Sequence, residues 1–198
     1  MIPSNIVSDA MSFETYQQLL ETLLSQGKTT GTTQNDEFLN YAKVNLQRMH
    51  RLHKTLVLNP DLLQALTAIK GEYIWLVITE GWCGDASQNL PYLQAIAKVC
   101  PKIQLRLILR DEHPEIIDQY LTNGSRAIPK LICLTKKDLH ECFVWGPRPM
   151  ALQSMVVELK TKGVTKEEKG MVTQKWYNAN AGHELQEEIL ALVKSHMP

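Results

Sequence analysis

The stretch YIWLVITEGWCGDASQNL, residues 73–90, changes its hydropathy period halfway along. Residues 73–79 are an unbroken apolar run, the pattern of a central parallel strand buried on both faces. From Leu90 onward, Leu90, Leu93, Ile96 and Ala97 recur at helical spacing. Between the two lies Trp82-Cys83-Gly84-Asp85-Ala86, so a single thiol stands where a strand runs straight into a helix. The first amides of a helix lack intrahelical acceptors and point at that threshold. Together with the helix dipole they favour a negative charge there by roughly 0.3 to 1 kcal/mol. This predicts a lowered thiol pKa at Cys83, opposed by Asp85 if its carboxylate is close, and hence a moderately activated thiol. Two roles are open to Asp85: capping the helix through an amide hydrogen bond, or contacting and tuning the thiol.

Downstream, Ile103, Leu105, Leu107 and Leu109 alternate as a second strand. Pro114 suits the first turn of a helix through Ile116, Ile117 and Tyr120, closed by Asn123-Gly124. LICLT (131–135) and ECFVW (141–145), separated by KKDLH, read as an antiparallel hairpin. A helix over about 149–160 follows, and a last amphipathic helix runs through Leu185, Ile189, Leu192 and Val193. Upstream, Phe13, Tyr16, Leu20, Leu23 and Leu24 share one helix face between a Ser12 cap and Gly27. A long helix follows from Phe38 to Leu56, and a shorter one begins after Asn59-Pro60-Asp61. The order predicts an α/β domain over 59–162, a helical N-terminal extension over 1–58 and a helical tail over 163–198 packed on the domain.

The 198-residue chain is 44% hydrophobic and 21% charged, with 21 basic and 21 acidic side chains and no block of like charge. That excludes a nucleic-acid footprint and a polybasic membrane patch. The N-terminus has no secretory pattern, and no apolar run approaches the roughly 18 residues of a membrane span, so a cytoplasmic protein is expected. Four cysteines, Cys83, Cys100, Cys133 and Cys142, lack metal-type spacing and read as reduced thiols. His50 and His53 have no carboxylate or cysteine at helical spacing to complete a ligand set, so neither a metal nor another cofactor is expected.

WCGDA after a hydrophobic strand, then SRAIPKLICL, then WGPRP resemble the thioredoxin superfamily over residues 71–162. More narrowly, EGWCGDA, LRDEHPEIIDQYLTNGSRAIPKLI and WGPRP resemble a thioredoxin-like family of bacterial proteins with a Trp-Cys-Gly-Asp motif. The resemblance implies a central mixed sheet flanked by helices, and a cis bond before Pro129 whose loop packs beside Cys83. It implies that the backbone of Ile128 pairs with an extended peptide or thiol substrate and that Trp82 flanks a shallow groove. Gly84, Asp85 and Ala86 belong to the same substrate site. Arg126 and Glu80 flank it; Arg126 either pairs with a neighbour or binds a ligand carboxylate, and Glu80 reads as a plain solvated charge.

Two departures from that family pattern bear on chemistry. The second, resolving cysteine of thioredoxins falls here on Ala86, and the buried acid that serves it falls on Val77. Cys100 cannot substitute, lying at the far end of the helix about 25 Å from Cys83 at 1.5 Å per residue. Cys133 and Cys142 sit on the hairpin, where they could be cross-strand neighbours, and with Cys100 read as small buried hydrophobes. WGPRP reads as a rigid turn, and Trp176 and Tyr177 as anchors of the C-terminal segment. The resulting expectation is a monothiol protein in which Cys83 attacks a protein or small-molecule disulfide and an external thiol such as glutathione resolves the product. The alternative is a non-catalytic module whose groove holds a peptide or metabolite.

Overall fold

The computed structural model describes residues 2–197. Its elements, in order, are α1 (Ser4–Asp9), α2 (Phe13–Ser25), α3 (Asp36–Thr55), α4 (Pro60–Ala68), β1 (Tyr73–Thr79), α5 (Gly84–Val99), β2 (Ile103–Leu109), α6 (Pro114–Ile117), β3 (Lys130–Thr135), β4 (Glu141–Trp145), α7 (Met150–Thr161), α8 (Lys166–Asn180) and α9 (His183–His196). The strands form one mixed sheet in the order β2-β1-β3-β4. β1 runs parallel to β2 and antiparallel to β3, which pairs antiparallel with β4.

Every residue of β1 is buried, as its unbroken apolar run requires of a strand with neighbours on both edges and helices on both faces. β2 is an edge strand, and Met11 covers part of it by exchanging backbone hydrogen bonds with Leu107 at 2.9 Å each. α3 packs on α5 and α4 on α9. One continuous apolar core therefore runs from Ile2 to Met197, centred on Trp75, Leu76, Ile78, Leu90 and Leu93.

Three local expectations change. α6 stops after four residues, and Asn123-Gly124 does not close it. Both residues have positive φ, 50° and 72°, and Thr122 and Ser125 exchange backbone hydrogen bonds of 2.9 and 3.0 Å across them. This is the tight turn for which Asn-Gly is suited, and it leads the chain into Ile128 and Pro129. α1 is an additional short helix before α2. α8 lies within the expected helical tail but in a part where periodicity marks no separate helix, because its inward face is mostly polar and Tyr177 is its one buried residue. A local signal was present in the Thr165-x-x-Glu168 capping box, in which each side chain accepts the other's backbone N–H.

Candidate active site

β1 ends at Thr79, and the next four residues turn the chain into α5. The turn is clamped at Gly81, whose N–H donates to Thr30 Oγ1 at 2.8 Å and whose carbonyl accepts from Asn45 Nδ2 at 3.0 Å. Cys83 itself is the N-cap of α5, its sulfur accepting the Ala86 N–H at 3.4 Å. The thiol donates to the Ile128 carbonyl at 3.2 Å. The Ile128–Pro129 bond is cis. Cys83, Ala86, Ile128 and Pro129 therefore meet in one place, with Gly84 exposed beside them and open space where a Cβ would stand.

The electrostatics correct the expectation of an activated thiol. Cys83 is only 8% exposed, and burial first, then the Asp85 charge, push its pKa up to about 12. The Ala86 N–H and the Arg148 guanidinium pull the other way without prevailing. The helix threshold does supply its amide, but a desolvated thiolate costs more than one amide and a partial dipole return. At rest the thiol is protonated.

Asp85 does not cap the helix, since Cys83 does; of the two roles open to it in the sequence it takes the tuning one, its charge raising the thiol's pKa. Its carboxylate lies within an ion pair with Arg148 Nε, at 3.1 Å, and Nη2, and its Oδ1 accepts from the Tyr177 hydroxyl at 2.8 Å. Arg148 also donates to Gln153 Oε1 at 2.9 Å, and Asn89 Nδ2 donates to the Tyr177 hydroxyl at 3.2 Å. Thus WGPRP is a turn with a cis Gly146–Pro147 bond, and it delivers a guanidinium to the helix that carries the thiol. Tyr177 is an anchor through its hydroxyl as well as its ring. Replacing Asp85 by Asn removes a like charge from beside the thiol and so favours the thiolate. We expect Asp85→Asn to raise the rate of Cys83 alkylation at pH 8 about tenfold; an unchanged rate would show that burial alone sets the titration.

Glu80 is not a solvated charge. It is 1% exposed; Oε1 accepts the Asp111 N–H at 3.0 Å, Oε2 has no partner among the described residues, and burial raises its pKa. What covers it is the 29–31 loop, in which Gly31, at φ +81°, lies so close that a Cβ would stand 2.6 Å from Asp111 Oδ2 and 3.0 Å from Trp82 Nε1. Trp82 is half-buried, its ring 5.0 Å from Phe38 and carrying the Arg110 guanidinium 4.6 Å from its centroid. Arg126 donates to both oxygens of Asp118 at 2.6 and 2.7 Å on the surface. Val77 is fully buried in the core.

Lys130, directly after Pro129, gave no signal in the sequence. It is 5% exposed, donates to Thr122 Oγ1 at 2.6 Å and to the Gly146 carbonyl at 3.1 Å, and burial lowers its pKa to about 8. It ties the loop before Pro129 to the turn that holds Arg148. Gly146, at φ +109°, presses against the Pro129 carbonyl, leaving no room for a Cβ. Because the folded-state pKa lies below the ordinary lysine value, the unfolded chain binds more protons between about pH 8 and 10.5. Lys130 therefore adds stability as pH rises through that window, by up to about 3 kcal/mol. Raised thiol and phenol pKa values act oppositely there, so the measurable quantity is the difference between wild type and Lys130→Met in urea unfolding. The wild type should gain on the variant from pH 8 to 10.5; a constant difference would refute this.

Among the described residues no three His, Cys, Asp or Glu side chains gather as a metal site, and no helix is long and apolar enough to cross a membrane. A family model described as Thioredoxin matches residues 31–169. No curated protein matches the sequence significantly. Among solved structures, a protein of unknown function from Pseudomonas aeruginosa aligns at a TM-score of 0.57 and 17% identity, over 93% of this chain and 98% of that one. An HIV epitope-scaffold aligns at a TM-score of 0.61 and 17% identity, over 98% and 99%. At that identity the likeness is one of fold.

Proposed function

The chain belongs to the thioredoxin family, and from that premise we propose that it is a monothiol exchange protein working through Cys83. The observation that carries this reading is the place of the thiol: its sulfur lies between the Ala86 N–H and the Ile128 carbonyl, beside Pro129, with no second thiol on the first turn of α5. In the free protein the Ile128 carbonyl holds the thiol proton. A disulfide substrate lying along the Ile128 backbone displaces that hydrogen bond. The Cys83 sulfur then attacks one substrate sulfur, the substrate S–S bond breaks, and the proton leaves with the departing thiol. The Ala86 N–H and the Arg148 charge support the sulfur while it carries negative charge.

The intermediate is a mixed disulfide on Cys83. An external thiol such as glutathione attacks it, restoring Cys83 and carrying the substrate fragment away as a new disulfide. Trp82, Gly84, Asp85, Ala86, Arg126, Ile128 and Pro129 form the proposed substrate surface, with Arg126 engaged by Asp118 at rest. A reducing, cytoplasmic setting that supplies the external thiol fits this cycle.

The deciding experiment is intact mass spectrometry after exposure to oxidised glutathione. One glutathione adduct on Cys83, absent in Cys83→Ser, is expected. The burial and raised pKa of the thiol favour a second reading, a groove that binds a peptide or metabolite without exchange. That reading stands if Cys83 forms no adduct and Cys83→Ser retains the cellular function.

A further inference from the structure

The site described above uses one of the four thiols. Of the others, Cys100 is buried against the Leu66 carbonyl, 3.8 Å from its sulfur, and has no thiol partner. Cys133 and Cys142 differ from it because the hairpin between β3 and β4 is irregular where they meet. Cys133 pairs with Phe143 and the next pair is Leu134 with Glu141, so Cys142 is the extra residue of a bulge. A bulge sets two residues of one strand opposite one residue of the other. Cys142 is thereby brought opposite Cys133, whereas a regular ladder would turn it to the other face of the sheet.

The surroundings agree with that placement. Both thiols help to raise the titration of the Tyr73 phenol, and Cys142 that of Cys133, while the Cys142 thiol donates to the His140 carbonyl at 3.7 Å. Cys133 is fully buried, while Cys142 is half-buried and reachable from solvent. Trp75, on β1 directly opposite Cys133 of β3, is itself fully buried, and its Nε1–H has no hydrogen-bond partner among the described residues. That N–H favours the charged form of the Cys133 thiol. A buried donor without a partner is costly, and it is placed to receive negative charge developing on that sulfur.

We propose that Cys133 and Cys142 form a second redox site, independent of Cys83, which closes to an intramolecular disulfide on reaction with a low-molecular-weight disulfide of the glutathione type. The Cys142 sulfur attacks oxidised glutathione, making a Cys142–glutathione bond and releasing one glutathione, which carries off the Cys142 proton. The Cys133 sulfur then attacks the Cys142 sulfur and expels the second glutathione, which takes the Cys133 proton. The protein dithiol loses two electrons, and one oxidised glutathione becomes two reduced molecules. Burial of the attacking sulfur and the raised titration of both thiols make this a slow site, suited to registering sustained oxidation.

The pair is level with Tyr73 and Trp75. Strands rise about 3.3 Å per residue, so it lies roughly 13 to 20 Å back along β1 from the end that leads to Cys83. It cannot resolve an adduct on Cys83, and the two sites can be tested apart.

The test uses the full chain carrying Cys83→Ser, exposed to oxidised glutathione, then denatured and alkylated. The expected product has lost two hydrogen atoms, shows two fewer alkylatable thiols and yields a peptide joining Cys133 to Cys142. Cys133→Ser in the same background should instead accumulate a glutathione adduct on Cys142. Should either variant fail to fold, the same thiol count and peptide map on the wild-type chain decide the matter, since Cys83 maps to a different peptide. A stable Cys142 adduct with Cys133 still alkylatable, a disulfide that involves Cys100, or no mass change would each overturn the proposal.

Discussion

In an Ala86→Cys variant, a glutathione adduct on Cys83 is expected to disappear without added thiol, whereas the wild-type adduct should decay only in proportion to the thiol supplied. The reason is geometric. The backbone N of residue 86 lies 3.4 Å from the Cys83 sulfur, so a thiol at 86 stands one turn along the same helix and attacks intramolecularly. Well-oriented intramolecular attack should exceed attack by millimolar glutathione by roughly 100-fold or more. In the wild type nothing competes with the external thiol, because Cys100 is at the other end of α5 and the hairpin thiols are far down the sheet. Ala86 is 1% exposed, so the added sulfur should also lower the stability of the reduced variant by about 1 to 3 kcal/mol through overpacking. Decay followed by intact mass at several glutathione concentrations separates the two proteins. A wild-type rate that persists with no thiol added would mean an internal resolver and end the monothiol reading.

What the sequence revealed and what it hid follow one physical distinction. The strand β1, the start of α5 and the hairpin were legible because their signals are local: an apolar run, a change of period, and two alternating segments around a polar turn. The thiol's place on the threshold was legible for the same reason. Its chemistry was not, because the terms that set it come from elsewhere in the chain. Asp85 is answered by Arg148, 63 residues on, and by Tyr177, 92 residues on. Glu80 read as solvated because a charged residue after a strand ordinarily is; the 29–31 loop that buries it belongs to a connection between two helices. Lys130 gave no local signal, because its partners lie in other segments, Thr122 in the turn before β3 and Gly146 in the turn after β4. α8 escaped periodicity because, Tyr177 apart, it is held largely by hydrogen bonds. Gln174 accepts from Arg48 at 2.6 Å, and Arg48 also reaches Ser87 on α5 at 2.9 Å.

The Asp85–Arg148 pair gives the largest expected change in stability. Both side chains are mostly buried, 13% and 17% exposed, and both have additional partners in Tyr177 and Gln153. In such a pair the attraction roughly repays desolvation, while removing one member strands the other. Arg148→Met should therefore cost about 3 to 5 kcal/mol in urea unfolding at pH 7, since Asp85 keeps a buried charge with only the Tyr177 hydroxyl to answer it. Adding Asp85→Asn to that variant removes the stranded charge and should recover most of the loss, so the two changes will be strongly non-additive. The thiol offers an independent readout. Losing the guanidinium while keeping the carboxylate disfavours the thiolate, so Cys83 alkylation in Arg148→Met should slow below wild type at every pH up to its titration. In the double variant neither charge remains, and the rate should rise above that of Arg148→Met. If Arg148→Met unfolds within about 1 kcal/mol of wild type, or the double variant loses the sum of the two single losses, the pair is an exposed surface contact in solution and Arg148 has no part in supporting the sulfur.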